Sequence, residues 1–164
     1  MTLRLSISCL LVLFTTYTVG QSRTLAGKVI GVQFSPIFQA KVFSSDTLLL
    51  AESDKSGNFN AVISADIKSL LVTSIGMELK KIDLAVDCNN LDIILQPNGS
   101  YDFMSAKKVD RKRKKEFAKL PQLHRIAFEK GIFKSPNPCY RDNFISRRKR
   151  LEETRKGQIA MPST

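Results

Sequence analysis

Residues 24–96 break into short stretches in which apolar and polar positions alternate with period two. Leu25, Gly27 and Val29 alternate with Ala26, Lys28 and Ile30, which predicts a first strand ending at Gly31. After a loop containing Pro36, Phe38, Ala40 and Val42 alternate with Gln39, Lys41 and Phe43 in a second. Residues 47–52 are an almost unbroken apolar run, so the third strand is expected to be buried on both faces or shifted by one residue. Phe59, Ala61 and Ile63 share one face of a fourth strand. In a fifth, Leu70, Val72 and Ser74 oppose Leu71, Thr73 and Ile75; in a sixth, Ile82, Leu84 and Val86 oppose Lys81, Asp83 and Asp87. Leu91, Ile93 and Leu95 form a seventh with Asp92 and Gln96 outward, and Pro97-Asn98-Gly99 closes the region with turn chemistry. Seven short strands at near-regular spacing, with no helical period among them, predict a mainly β fold: an antiparallel, immunoglobulin-like sandwich. Its expected core contains Leu25, Val42, Phe59, Val72, Leu84 and Ile93.

One corner is specified more tightly than the others. In Ser53-Asp54-Lys55-Ser56-Gly57-Asn58-Phe59, Asp54 and Gly57 occupy the two ends of a four-residue turn. A short carboxylate at the first position accepts hydrogen bonds from turn N–H groups, and glycine at the fourth accepts backbone geometry that a Cβ resists. With apolar runs on both sides, the pattern reads as a hairpin. A calcium loop does not fit, because Lys55 and Ser56 interrupt the series of oxygen ligands and no closing Glu follows.

Beyond residue 99 the pattern changes to helical. Residues 105–120 are helix-forming, with Asp102 or Ser105 placed to cap. Pro121 opens a second helix, whose stripe Leu120, Leu123, Ile126 and Ala127 ends at Gly131. Residues 134–139 are a Pro-containing loop. Asp142 is placed to cap a last helix with Phe144, Ile145 and Leu151 inward and residues 147–150 outward, and residues 157–164 read as a disordered end.

Charge sharpens this division. Residues 23–103 carry seven Lys and Arg against nine Asp and Glu, net −2, whereas residues 104–164 carry eighteen against six, net +12. A nearly neutral domain over 23–99 is thus expected to carry a basic helical extension over 100–156. The densest cationic runs are Arg111, Lys112, Arg113, Lys114 and Lys115, then Arg147, Arg148, Lys149 and Arg150. Five consecutive residues cover every side of a helix, so the first run does not form one tidy face.

Residues 1–20 read as a signal peptide. Arg4 supplies the positive start, residues 5–17 the apolar stretch, and Thr18-Val19-Gly20 the small residues of a cleavage site. The chain is therefore expected to be exported, periplasmic or associated with the cell envelope. Cys9 falls within the signal, which leaves Cys88 and Cys139 as a candidate disulfide in an oxidising compartment; two independent buried thiols are the alternative.

The order and spacing of several pieces carry a family resemblance. Leu25-Ala26-Gly27-Lys28-Val29, Ala40-Lys41-Val42, the segment from Ser53 to Phe59, Ser74-Ile75-Gly76 and Leu91-Asp92-Ile93-Ile94-Leu95 together resemble the carboxypeptidase regulatory-like domain. That domain is a transthyretin-like sandwich found beside zinc carboxypeptidases and at the front of TonB-dependent outer-membrane receptors. The resemblance covers about residues 24–96. Ser53 stands where the family usually has Thr, Met77 follows Gly76 where it usually has an aromatic, and residues 32–39 lack its Gly-rich, acidic lead-in. The resemblance implies a non-catalytic module that supports, docks or spaces other parts.

The residues themselves point away from catalysis. A zinc peptidase needs three protein ligands and a general base. The chain has one histidine, His124, with Ala127 where an H-x-x-E pair would place its glutamate. No cofactor and no small-molecule substrate are expected. The expected function is a structural or interaction domain of the cell envelope, whose basic tail docks on an anionic surface (lipid headgroups or a polymer) or on an envelope protein. The alternatives are a nucleic-acid-binding basic protein, against which the export signal argues, and an accessory subunit of a peptidase or outer-membrane receptor.

Overall fold

A computed structural model describes residues 22–149. The signal-peptide reading, Arg150, the rest of the last predicted helix and residues 157–164 lie outside the described residues.

The alternating segments fold as β1 (Ser22–Gly31), β2 (Lys41–Ser44), β3 (Leu49–Glu52), β4 (Asn58–Ser64), β5 (Ser69–Thr73), β6 (Lys80–Leu84) and β7 (Asn90–Leu95). Then come α1 (Ala106–Phe117), α2 (Leu120–Glu129) and β8 (Tyr140–Asn143). The strands form a three-stranded sheet, β4-β1-β7, and a five-stranded sheet, β3-β2-β5-β6-β8. The main core lies between them. β1, β4 and β7 contribute Leu25, Val29, Phe59, Ala61, Ile63, Leu91, Ile93 and Leu95; the facing sheet contributes Val42, Leu70, Val72, Ile82 and Tyr140. Strict alternation in β4, where Phe59, Ala61 and Ile63 are buried and their neighbours exposed, shows one face on the core and one on water.

Several expectations are corrected. The described residues hold eight strands rather than seven, and the sandwich is not wholly antiparallel. β1 pairs antiparallel with β4 but parallel with β7, Gly27 opposite Leu91 and Val29 opposite Ile93. The corner at Asp54–Gly57 is not a hairpin: β3 and β4 belong to different sheets, so the chain crosses the sandwich there. β3 is an edge strand with Leu49 46% exposed, not a strand buried on both faces. β2 begins at Lys41 because Gln39 takes a left-handed backbone, φ 54°, which turns Phe38 out to solvent. Ile75 and Val86 are exposed because their strands end earlier, at Thr73 and Leu84, in tight turns. Of the six expected core residues five are buried, and Leu84 is half-buried against the core near the end of its strand.

The corner itself is built as its residues require. The Asp54 carboxylate accepts from the N–H groups of Ser56 and Asn58, both at 2.8 Å, and the Gly57 N–H donates to the Asp54 carbonyl at 2.9 Å. Gly57 has φ 78°, and any Cβ there would collide with the carbonyl oxygen of Val29. Ser53 is buried beside it; its hydroxyl accepts from the Ala40 N–H at 2.8 Å and donates to the Ile37 carbonyl at 2.6 Å. The corner is thereby stitched to β1 and to the lead-in of β2.

The segment after residue 99 packs back on the sandwich in three ways. First, α2 and the loop after it cover the outer face of the three-stranded sheet, where Ile30 and Ile94 meet Leu120, Ala127 and Phe133 in a second apolar cluster. Second, β8 pairs antiparallel with β6, Ile82 opposite Asp142. Asp142 therefore lies in a strand rather than capping a helix. Third, Cys88 and Cys139 are joined in a disulfide, tying the turn after β6 to the start of β8.

Candidate functional site

α1 begins after Ser105, whose carbonyl accepts from the N–H groups of Lys108 and Val109. The helix runs through the charged stretch because Lys and Arg are good helix formers. Only Val109 and Arg113 are buried along it. A turn of 100° per residue places Lys107, Lys108, Arg111, Lys114 and Lys115 on the opposite side, and all five are exposed. Lys112 is exposed on the flank, its ammonium 5.7 Å from the centre of the Tyr101 ring.

Arg113 is the exception within the run and is corrected as a surface contact. Its Nε and Nη2 donate to the two carboxylate oxygens of Glu78, each at 2.7 Å. Nη1 donates to the Ile145 carbonyl at 3.0 Å, and the guanidinium lies 5.2 Å from the Phe144 ring centre. The bonds to Glu78 hold its pKa above the ordinary value against the opposing effect of burial. Phe144 in turn meets Phe117 edge to face, with ring centres 5.4 Å apart. This fork fixes the rotation of α1 on the sandwich and so decides which cations face water.

The second cationic run is brought beside the first. The Arg147 N–H donates to Asp110 Oδ1 at 2.7 Å. Residues 147–149 are helical and exposed, and this bond seats the start of their turn beside α1. Asp110 also accepts from Arg113 Nη1, and Glu116 pairs with Lys119 at 3.0 Å, so both carboxylates of α1 have cationic partners.

The other polar feature is a cleft of about 270 Å³ on the outer side of β7, lined by residues that include Asn90, Asp92, His124, Asn137 and Cys139. Asp92, expected to point to water, is buried under the loop after α2. Its Oδ2 accepts from Asn90 Nδ2 at 2.8 Å and from the Lys134 N–H at 2.9 Å. Its carbonyl oxygen lies 3.2 Å from His124 Nε2 and accepts from the Tyr140 hydroxyl at 3.1 Å. His124 Nδ1 faces the Pro136 carbonyl at 3.3 Å, and the ring packs on Phe133. Both ring nitrogens of His124 thus face backbone carbonyls, one on β7 and one in the loop after α2. Lys80 is buried nearby, donating to the Ile94 carbonyl at 3.0 Å and paired with Asp142 at 2.9 Å. Burial lowers its pKa, with Asp142 opposing the shift. Among the described residues no group of three or more His, Cys, Asp or Glu is placed to hold a metal ion.

Sequence reasoning missed Glu78, Tyr101 and Phe103. A lone acid before a strand and two aromatics in a short turn carry no periodic signal.

Neither a family model nor a curated protein matches the chain. Among solved structures, it is similar to a chain in the cryo-EM structure of the E. coli P pilus tip assembly intermediate PapC-PapD-PapK-PapG in the second conformation. The identity is 17% and the TM-score 0.34, over 51% of this chain and 11% of that one. A likeness at that level carries no argument about fold or function.

Proposed function

We propose that this chain is an exported, non-catalytic β-sandwich module of the cell envelope, transthyretin-like and akin to the carboxypeptidase regulatory-like domain, that docks on an anionic surface or partner. The docking face is the exposed side of α1 together with Arg147, Arg148 and Lys149. One observation carries this reading: two cationic runs more than thirty residues apart in sequence meet on one surface, with Asp110 between them bonded to Arg113 and to the Arg147 N–H. A solvated helix needs no such assembly. A field of one sign attracts anionic partners over about a Debye length, roughly 8 Å at physiological ionic strength.

The test uses the full chain with Arg111, Lys112, Lys114 and Lys115 replaced by Gln, and Arg113 left in place. The four-Gln variant is expected to sediment with anionic envelope fragments far less than the parent, with an unchanged urea midpoint. Equal sedimentation at low salt would sink the proposal. Retention of the tagged protein in the cytoplasm, with tight binding to duplex DNA, would favour the nucleic-acid reading instead.

A further inference from the structure

Phe103 stands wholly in solvent at 108% relative exposure, at the tip of the turn that leads into α1. Its backbone lies in the left-handed region, φ 62°. A bulky residue is disfavoured there, where Gly or Asn sits at lower cost. The turn is nonetheless anchored. The Met104 N–H donates to the Tyr101 carbonyl at 3.3 Å, and the Tyr101 ring lies beneath the Lys112 ammonium. A ring left in water on a strained backbone, at the head of a helix whose outer side is cationic, combines two requirements that one kind of surface meets. The lipid–water interface offers anionic headgroups for Lys107, Lys108, Arg111, Lys114 and Lys115, and apolar depth beneath them for an aromatic ring. A soluble polyanion without bases, such as heparin, supplies the charge but nothing to bury an isolated ring.

We propose that this face binds the surface of an anionic lipid bilayer, with Phe103 inserted below the headgroups. The proposal rests on the function proposed above and names its partner.

The chain contains no tryptophan, so Phe103→Trp introduces a single fluorescent reporter at the tip. The variant is titrated with vesicles of equimolar phosphatidylcholine and phosphatidylglycerol. Its emission is expected to shift to the blue and to be quenched by lipids brominated on their acyl chains. Phe103→Ser is expected to bind these vesicles about tenfold more weakly than the parent, as partial burial of a Phe side chain implies. Phe103→Leu should stay close to the parent. On immobilised heparin, Phe103→Ser and the parent should bind alike. If vesicles capture the parent but the Trp emission does not move and Phe103→Ser binds as tightly, insertion is overturned while the cationic docking face stands. If vesicles do not capture the parent, but envelope fragments do and the four-Gln variant loses them, the bilayer is the wrong partner. If neither captures it, both proposals fall. Tighter binding of a single-stranded oligonucleotide than of vesicles, with quenching at position 103, would replace the bilayer by base stacking.

Discussion

Arg113→Met removes the one member of the basic run that holds the fold rather than a partner. Met keeps much of the apolar stem but deletes two 2.7 Å bonds to Glu78 and one of 3.0 Å to the Ile145 carbonyl. The Glu78 side chain, 13% exposed, is left as a carboxylate without its cation. Breaking a buried pair by removing one partner costs about 3–5 kcal/mol; with Glu78 keeping some access to water, we expect about 3 kcal/mol. Replacing both partners, Arg113→Met with Glu78→Leu, should recover much of that loss, because no buried charge remains unpaired. The double-mutant cycle should return a coupling of about 2 kcal/mol. The assay is urea unfolding followed by far-UV circular dichroism, with Lys112→Gln as a surface control within about 0.5 kcal/mol of the parent. A loss below about 1 kcal/mol for Arg113→Met, or additive single losses, would refute the clamp.

Gly57→Val should destabilise the domain by more than about 2 kcal/mol in the same assay, through the left-handed backbone and the collision with Val29, while Lys55→Ala stays within about 0.5 kcal/mol. Reduction of Cys88–Cys139, which spans a sequence separation of 51, should lower stability by about 4 kcal/mol on the chain-entropy model, read as the shift in thermal midpoint with and without dithiothreitol. Free thiols in the native exported protein would contradict the bridge. The Asp54 pKa is lowered from 3.8, chiefly by the hydrogen bond from the Asn58 N–H. Its contribution to stability is therefore present above the unfolded value and is lost as pH falls through the lower folded value. Parent and Asp54→Asn should accordingly converge in stability on acidification across that window; a difference that stays constant would exclude Asp54 as the cause.

The strands that alternate cleanly were legible, because a one-sided strand writes its burial into the sequence. β4 is the clearest case, with Phe59, Ala61 and Ile63 inward. β7 was legible on one face only. Leu91, Ile93 and Leu95 follow the pattern, but Asp92 and Ile94 are also buried, because α2 and its following loop cover them. Local sequence cannot announce a cover contributed by residues thirty positions away. β8 was missed because its four residues, Tyr140 to Asn143, are too few to show a period, and because Asp142 resembles a cap. At the candidate site the cationic composition was plain from the sequence, yet its geometry was not. Arg113 cannot be told from Arg111 in a run of like residues; only the partner Glu78, 35 residues earlier, decides which turns inward. Likewise, nothing in the sequence brings residues 147–149 beside α1. That juxtaposition depends on tertiary contacts: Arg113 on the Ile145 carbonyl and the Phe144 ring, Phe144 on Phe117, and the Arg147 N–H on Asp110.

The central claim, that the exposed face of α1 is built to meet the surface of an anionic bilayer, is tested most directly by measuring vesicle affinity against salt for the parent and the four-Gln variant side by side. Both are titrated with equimolar phosphatidylcholine and phosphatidylglycerol vesicles from about 0.05 M to about 0.5 M salt, the range over which screening removes surface electrostatics. The parent is expected to bind strongly at low salt, to weaken steeply as salt rises, and to converge on the weaker, shallower curve of the variant, which retains Lys107, Lys108 and Arg147. Two superimposed curves, or a parent affinity indifferent to salt, would contradict the claim.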